Sequence, residues 1–484
     1  MSKSIFPQRQ RKETNVANII YGMFNVARTA LITQQKAIDV TANNIANVNT
    51  KGYSRQRVTL EQNEPVYYQG GTLGTGVQAN RVIQRIYDRF VNQQLAESES
   101  DLGRWDAQLE TLEKAELMFD ETSGYGLNDA LSEFWNSWQE LSNNPDGYTE
   151  RATLIASTQN LTDVFNHLSA DLTQVQSDSD ASITAAVETI NTLTSEIAEL
   201  NLKIAEVEAG SLHSANDFRD QRDLKLQELS ALIDVDSFED ADGFLTITTA
   251  NGNTLVDRTN SWELTTHTNT DGFEDVYWIS GTGTEENITD AIDNGKLKGW
   301  IEARDTIIPG YLEDLDDLAA GIIGAVNGLH AAGTDLTGTT GTASGLDFFI
   351  GTGASDIEIN ASIAGNPNLI AAASTSEAIP GGSENAVAIA ELQNDMLMGG
   401  GTATFDDFYN SLASNVGNDV YQAEVNGDHQ TTVNQQLATY QQEVSGVSLD
   451  EEMVDLIQFQ SAYDAAAKLV TTVDEMLEKL INMV

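Results

Sequence analysis

The clearest hydrophobic pattern near the start of the chain is a heptad repeat between Ile20 and Val48. Mostly apolar positions recur there in alternating steps of four and three residues, which gives a helix one stripe for pairing with another helix. Gln34 and Thr41 are polar members of the stripe, and such residues lower stability but can fix the register of a pairing. The pattern therefore predicts a long helix with a helical partner. Its positions are Ile20, Phe24, Ala27, Leu31, Gln34, Ile38, Thr41, Ile45 and Val48.

An Asn-rich segment ends this stripe. Asn43, Asn44, Asn47 and Asn49 are followed closely by Gly52. Asn and Gly tolerate the left-handed backbone conformation that commonly ends helices. The chain is therefore expected to turn out of the helix in this segment.

The end of the chain repeats the opening pattern. Residues 448–484 contain a heptad repeat with one slip, and no Gly or Pro follows Gly446, so we predict a helix that continues to the last residue. The repeat positions are Leu449, Met453, Leu456, Phe459, Tyr463, Ala466, Val470, Val473, Leu477, Leu480 and Val484.

The two terminal segments carry opposite charge. Residues 16–60 contain five basic residues and one acidic residue, whereas residues 448–484 contain two basic and eight acidic residues. Matching heptads of opposite sign predict that the terminal helices pair, both within one subunit and between subunits. The candidate assembly residues are Phe24, Leu31, Ile38, Asn43, Asn44, Ile45, Asn47, Gly52, Leu456, Phe459, Tyr463, Val470, Val473, Leu477 and Leu480.

The middle of the chain changes from helical to strand-like periodicity and back. Apolar spacing predicts a helical bundle domain from residues 61–235 with 386–447. From about residue 236 apolar and polar residues alternate around Asn251-Gly252, a hairpin signal, so residues 236–385 are predicted to form a β-rich inserted outer domain. A helix expected at 290–332 fits either domain.

These patterns predict a mainly α protein. Its architecture would be a long α-helical bundle with paired terminal coiled-coil helices, residues 16–60 with 448–484, and an inserted small β-rich domain. Residues 1–15 are basic and polar, and we predict that they form a disordered extension outside the fold.

Composition narrows the class of protein. The 484 residues carry a formal net charge of −49, and nucleic acids and anionic membranes both require basic surface, so neither is an expected partner. The chain has no Cys, which excludes disulfides and thiolate chemistry. No apolar run reaches membrane-spanning length, and no apolar core of a signal peptide follows residues 1–15.

Catalytic and metal-binding patterns are missing from the sequence. The five His residues are scattered without an H-E-x-x-H motif, and neither G-x-S-x-G nor a P-loop occurs. Asp240-Ala241-Asp242-Gly243 is reminiscent of a calcium loop, but Phe238 and Thr249 occupy the positions that need acidic ligands. We therefore expect neither an enzyme, nor a cofactor, nor a metal site.

Four motifs resemble a known family. Residues 41–55 (TANNIANVNTKGYSR) are similar to the N-terminal motif of bacterial flagellar rod, hook and hook-associated proteins, the axial proteins. Residues 216–223 (NDFRDQRD), 296–305 (KLKGWIEARD) and 446–463 (GVSLDEE…FQSAY) resemble segments of the hook-associated protein 1 family, whose members lie at the hook–filament junction. Residues 1–15 precede the usual start of that family, and the short middle leaves little room for the extra outer domain of longer members.

The resemblance implies an extracellular, non-enzymatic structural subunit of the flagellum. It implies secretion through the type III export apparatus without a cleaved signal peptide. The implied partners are hook protein, hook-associated protein 3, further copies of the chain in a helical ring, and an export chaperone at the C-terminal region.

Two other functions compete with this interpretation. A secreted acidic surface adhesin would use the β-rich domain and the Gly/Thr-rich segment, and deleting residues 236–285 would then abolish ligand binding. If the chain is a structural subunit, the same deletion would leave filament assembly largely intact. Another axial protein, of the hook or rod, would instead be expected to have a mostly β middle, which the helical periodicity contradicts.

Overall fold

The protein is built mainly of long helices. The computed structural model describes residues 6–68, 71–73, 75–119, 126–209, 214–340 and 346–482. Short antiparallel strands lie between the helices, which confirms the predicted mainly α fold with an inserted β-rich part. The helices are α1 (Phe6–Ala46), α2 (Arg89–Glu116), α3 (Leu127–Asn143), α4 (Tyr148–Glu208), α5 (Asn216–Leu232), α6 (Gly295–Glu302), α7 (Ile308–Ala332), α8 (Ala361–Gly365), α9 (Glu384–Glu391), α10 (Phe405–Ser445) and α11 (Leu449–Ile481).

The strands form small antiparallel sheets. β5-β6-β7-β8 make a four-stranded sheet, β9, β10 and β11 make a three-stranded sheet with β10 in the centre, and β1 pairs with β4. β2 pairs with β3, and β12 pairs with β13. The strands are β1 (Gln56–Gln62), β2 (Val66–Tyr68), β3 (Gly71–Leu73), β4 (Val77–Arg85), β5 (Val235–Glu239), β6 (Leu245–Thr249), β7 (Thr254–Asp257), β8 (Asn260–Ser261), β9 (Leu264–Thr268), β10 (Glu274–Ile279), β11 (Glu285–Asn287), β12 (Phe349–Ile350) and β13 (Glu358–Ile359).

One hydrophobic core lies within the helical bundle. The apolar faces of α3, α7, α10 and the first half of α4 meet there, and Trp135 and Trp138 are fully buried. The ring of Phe134 lies 5.7 Å from that of Phe349, so the segment containing β12 packs into this core as well. The aromatic side chains at helical spacing are therefore core residues, as their periodicity predicts.

A second core joins α4 to the β strands. Ile183, Ile190 and Ile197 keep the heptad spacing of the sequence and are fully buried against the sheets. Asn201 lies on the same helix, and its side-chain amide donates to the carbonyl oxygens of Leu245 (2.8 Å) and Arg258 (2.7 Å). The 61-residue helix α4 therefore carries the bundle on its first half and the β-rich part on its second half.

Three predicted boundaries differ from the structure. Apolar residues of the segment 346–385 pack into the bundle core rather than into the β-rich domain. The sequence did not predict this, because the segment is rich in Gly, Ala and Thr and its buried residues follow no periodic pattern. The bundle domain was predicted to begin at residue 61, but β1 (Gln56–Gln62) and β4 (Val77–Arg85) pair with each other and contact α1, so they extend the terminal domain. The helix predicted at 290–332 is divided by a π-helical turn, Ala303–Ile307, into α6 in the second core and α7 in the first.

The predicted extension at residues 1–15 also differs. Residues 1–5 lie outside the described part of the chain, whereas α1 begins at Phe6 and continues without interruption to Ala46. Residues 6–15 therefore have helical backbone rather than forming a segment without structure.

Candidate assembly interface

The terminal helices α1 and α11 lie side by side in one subunit. The end of α1 lies beside the beginning of α11, so the helices run antiparallel and pack along their lengths. α1 also contacts β1 and β4 on another face. Their buried apolar residues are mostly small, namely Ile20, Ala27, Ala37, Val40, Ala466 and Val473.

The predicted heptad positions are only partly covered by this pairing. Val473 is buried, and the side chain of Leu480 lies outside the described part of the chain. Leu31, Ile38, Ile45, Leu456, Phe459 and Val470 are half-buried, whereas Phe24, Tyr463 and Leu477 are exposed. A single pair of helices therefore leaves much of both stripes accessible.

Further large apolar side chains lie on the open faces of both helices. Ile32 is 61% exposed on α1, and Val454 and Ile457 are 64% and 61% exposed on α11. These three residues lie on a second face, outside the heptad stripes, so the heptad pattern did not predict them. Val454 and Ile457 are one turn apart and so adjoin each other, and adjoining exposed apolar residues mark interaction surfaces. The other exposed apolar residues are Ile19, Tyr21, Leu449, Met453, Met476 and Ile481.

The Asn-rich exit anchors the beginning of α11. The side chain of Asn44 is buried, accepts from the Gln56 backbone N–H (3.0 Å) and the Tyr53 hydroxyl (2.9 Å), and donates to the Gln56 carbonyl (2.9 Å). The same amide nitrogen donates to Glu452 Oε2 at 3.0 Å. Asn44 thus fixes α1, the exit and α11 together.

The other predicted exit residues shape the turn itself. Asn47 donates to the carbonyl and the side-chain oxygen of Asn43, both at 3.0 Å. Gly52 has φ +80°, and an added Cβ would lie 3.3 Å from the Leu224 Cβ. A left-handed conformation with a close neighbour explains why Gly occupies this position.

Arg55 supplies the charge that holds α11. Its guanidinium donates to Glu452 Oε1 and to Glu451 Oε2, both at 2.7 Å, and Glu452 is only 1% exposed. The Arg55 backbone N–H donates to the Ser445 carbonyl at 2.8 Å, at the end of α10. The opposite charges of the two terminal segments are therefore used at this contact.

A second polar group joins the exit to α5. Asp220 accepts from the Ser54 backbone N–H (3.0 Å) and from Arg85 (3.0 Å), and Arg85 also donates to Asp223 at 2.6 Å. Burial raises the pKa of both carboxyl groups above the usual Asp value. Asp217 accepts from the Gln56 side chain at 2.8 Å.

The neighbouring face of α5 extends these contacts to the β-rich part. Arg219 forms ion pairs with Glu208 and Glu239, and Arg222 donates to Glu239 at 2.9 Å. Burial opposes ionisation of Glu239, yet Arg222 and Arg219 hold its pKa below the usual range. We call residues Asn44, Ser54–Gln56, Arg85, Asp217, Arg219, Asp220, Arg222, Asp223, Glu239 and Glu452 the polar lock.

Asn44 is the one member of the polar lock among the candidate assembly residues predicted from the sequence. Ser54, Arg55 and the α5 members lie in the family motifs 41–55 and 216–223, but the sequence did not indicate their contacts. A signal for the α5 face was present in residues 216–223, where Asn216, Asp220 and Asp223 recur in steps of four and three and so share one helix face. Polar and charged residues at the spacing expected for a buried helix face indicate a buried ionic face. Their partner residues, however, lie far away in the sequence. Only the fold brings Arg85 and Arg55 to their acidic partners.

The described part of the chain has neither a membrane-spanning helix nor a metal-binding cluster. Over the described residues, no helix has both the length and the apolar character needed to cross a bilayer. Within the same ranges, no three His, Asp or Glu side chains are grouped so that they could hold a metal ion.

Comparison with known proteins identifies the family. The family model described as the flagellar hook-associated protein FlgK helical domain matches residues 112–349. Models for the C-terminal part of flagellar basal body rod FlgEFG proteins and for flagella basal body rod proteins match residues 440–483 and 24–53. Flagellar hook-associated protein 1 of Bacillus subtilis is 33% identical over 94% of this chain and 97% of that protein. The chain belongs to the flagellar hook-associated protein 1 family.

Other relatives agree with this assignment. Flagellar hook-associated protein 1 of Escherichia coli is 27% identical over 95% of this chain and 99% of its own length. The solved structure of the flagellar hook junction protein FlgK from Burkholderia pseudomallei has a TM-score of 0.64, covers 73% of this chain and all of that chain, and is 15% identical, so it supports the fold alone.

Membership in the hook-associated protein 1 family confirms the predicted class of function. The chain is a structural subunit of the flagellum and not an enzyme. It interacts with axial components of the flagellum and with its own copies. The adhesin alternative receives no support from these comparisons.

Proposed function

We propose that this subunit joins the flagellar hook to the filament, and that neighbouring subunits cover the open faces of α1 and α11. The observation that carries the proposal is the set of large apolar side chains left exposed on a pair of terminal helices. The name of the relatives, flagellar hook-associated protein 1, supports the location.

The energetics of the terminal pair favour assembly over an isolated coiled coil. Fully burying a Val, Ile or Met side chain contributes about 1.5–3 kcal/mol. Ordering the backbone costs about 1–2 kcal/mol of free energy per residue. The buried residues of the pair are mostly small and so contribute little apolar area to offset this cost. The pair is therefore marginal alone, and neighbours that bury Val454, Ile457 and Ile32 supply the missing stabilisation.

The direct partners follow from position in the axial structure. We infer that hook protein contacts one side of the ring and hook-associated protein 3 the other. We further infer that an export chaperone holds the C-terminal region before secretion, and that the chain leaves the cell without a cleaved signal peptide. The absence of Cys supports export of an unfolded chain, because no cross-link can form in transit.

Two linked experiments test this function. Cells that lack the gene should form hooks without filaments and release filament subunits into the medium. Complementation with Ile457→Asp should fail, because a charge would be buried between subunits, whereas Thr192→Asp at an exposed position on α4, away from the terminal helices, should restore motility. Both purified variants should have the helical content of the wild type. Normal motility with Ile457→Asp would refute the assembly role of this face.

A further inference from the structure

Helix α10 connects the bundle to the terminal helices. Leu412, Val416 and Val420 lie on its inner face and are buried, and the helix packs along α2. At its end, the Ser445 carbonyl accepts from the Arg55 backbone N–H at 2.8 Å. The last turns of α10 therefore lie next to the polar lock and the candidate assembly residues.

The outer face of α10 carries no ionic charge between Asp428 and Glu443, which are both exposed. Residues 429–442 (HQTTVNQQLATYQQ) contain no Asp, Glu, Lys or Arg, although one residue in five is charged across the chain. The side chains on this face are solvent-exposed, and Tyr440 is 51% exposed. The exposed residues are His429, Thr432, Gln435, Gln436, Thr439, Tyr440 and Gln442, which we call the neutral face.

Electrostatics indicate which partner fits the neutral face. The chain has a net charge of −49, so two copies repel wherever their acidic surfaces meet. The uncharged segment is about 20 Å long at 1.5 Å per residue, more than twice the ~8 Å screening length at physiological salt. A basic partner would be attracted to acidic surface instead, whereas a second acidic copy can approach closely only where charge is missing.

The neutral face is continuous with the candidate assembly residues. A groove of about 790 Å³ adjoins it, and its lining includes Thr439 and Gln442, Gly52 and Lys51 of the Asn-rich exit, and the acidic residues Glu99, Asp223 and Glu443. Exposed Tyr is enriched at the centres of protein interfaces, and amide side chains hydrogen-bond without the cost of burying a charge.

We propose that the neutral face of α10 is a docking surface for a second copy of this chain. This inference rests on the proposed assembly function and adds a contact outside the terminal helices. A neighbouring subunit lies along residues 429–442, beside the Asn-rich exit.

Site-specific photo-crosslinking in flagellated cells tests the contact. A photoreactive phenylalanine analogue replaces Tyr440 in the full chain, and the same analogue at Ile457 reports the terminal interface. The same analogue at Thr192, an exposed position on α4, serves as the control. We expect products of two copies of the chain from positions 440 and 457, at least tenfold above the control.

The outcomes separate the two proposals. Crosslinks from 457 without crosslinks from 440 would overturn the neutral-face proposal and leave the assembly function standing. Crosslinks from 440 to a different protein would also overturn it. Silence at both positions would count against the assembly function itself.

A charge-insertion pair gives an independent readout. Gln436→Glu with Thr439→Glu adds two carboxylates to the neutral face, and Thr189→Glu with Thr192→Glu adds two to α4. The first pair should reduce filament-bearing cells at least tenfold and the second should not, while both purified proteins unfold at the wild-type temperature. Equal filament counts for the two pairs would overturn the proposal.

Discussion

Replacing Asn44 by Ala should release the beginning of α11 from the rest of the subunit. The Asn44 side chain forms four hydrogen bonds with Gln56, Tyr53 and Glu452, and Asn44, Gln56 and Glu452 are buried. The substitution leaves the Gln56 backbone N–H and carbonyl without these partners. A buried polar group left unpaired costs about 1–3 kcal/mol, so we expect a total loss of about 3–5 kcal/mol.

Native-state hydrogen exchange of the purified monomer detects this release. The amides of residues 452–460 in α11 should lose the protection that they have in the wild type, because the lost free energy exceeds the stability of a terminal pair that is marginal alone. Asn49→Ala is the matched control, because Asn49 belongs to the same motif but is exposed. If Asn44→Ala and Asn49→Ala exchange alike in this segment, Asn44 does not hold α11 and the polar lock is misassigned.

Three further substitutions test separate parts of the structure. Burial lowers the pKa of His330 to about 4, below its usual 6.5, so its contribution to stability is present above pH 6.5 and is lost as the pH falls to 4. Between pH 6.5 and 4, the free energy of unfolding measured in urea should fall by about 3 kcal/mol less in His330→Gln than in the wild type. An equal fall in the two proteins would contradict this. Arg304 is fully buried and donates to Asp180 at 2.6 Å, so Arg304→Met should cost about 3–5 kcal/mol in denaturant unfolding, and a loss below 1 kcal/mol would refute the role of the pair. Gly52→Ala should cost about 1–2 kcal/mol of stability, because φ is +80° and the Leu224 side chain is close. Gly272→Ala should cost less, because φ is +91° there but the surroundings are open. Thermal unfolding compares the two variants, and a larger loss for Gly272→Ala would contradict the steric argument.

The sequence predicted the helices better than the boundaries between domains. Periodicity located α4 and both terminal helices, because each buries one apolar stripe along its length. It misplaced residues 346–385, whose Phe348 and Phe349 enter the bundle core from irregular segments and short strands. A buried residue without a repeating pattern leaves no local signal, and only tertiary contacts reveal it.

The candidate site was predictable where it depends on local pattern. The terminal heptads and the Asn-rich exit identified helices that do lie side by side, and Asn44 has a buried role at their junction. The heptad rule did not find Val454 and Ile457, because it describes one stripe whereas α11 has apolar residues on more than one face. A helix that is apolar on several sides needs more partners than one.

The polar and apolar contacts of the terminal region have different structural roles. Hydrogen bonds and buried ion pairs depend strongly on geometry, so the polar lock fixes the position of α11 relative to α1 and α5 within one subunit. Apolar contacts depend mainly on buried area, so the exposed residues of α1 and α11 can pack against neighbours without a unique hydrogen-bond pattern. The polar contacts thus fix where α11 begins relative to α1 before assembly, whereas the apolar open faces can pack against neighbours in more than one way. The subunit gains most of its terminal stability only when other subunits surround it.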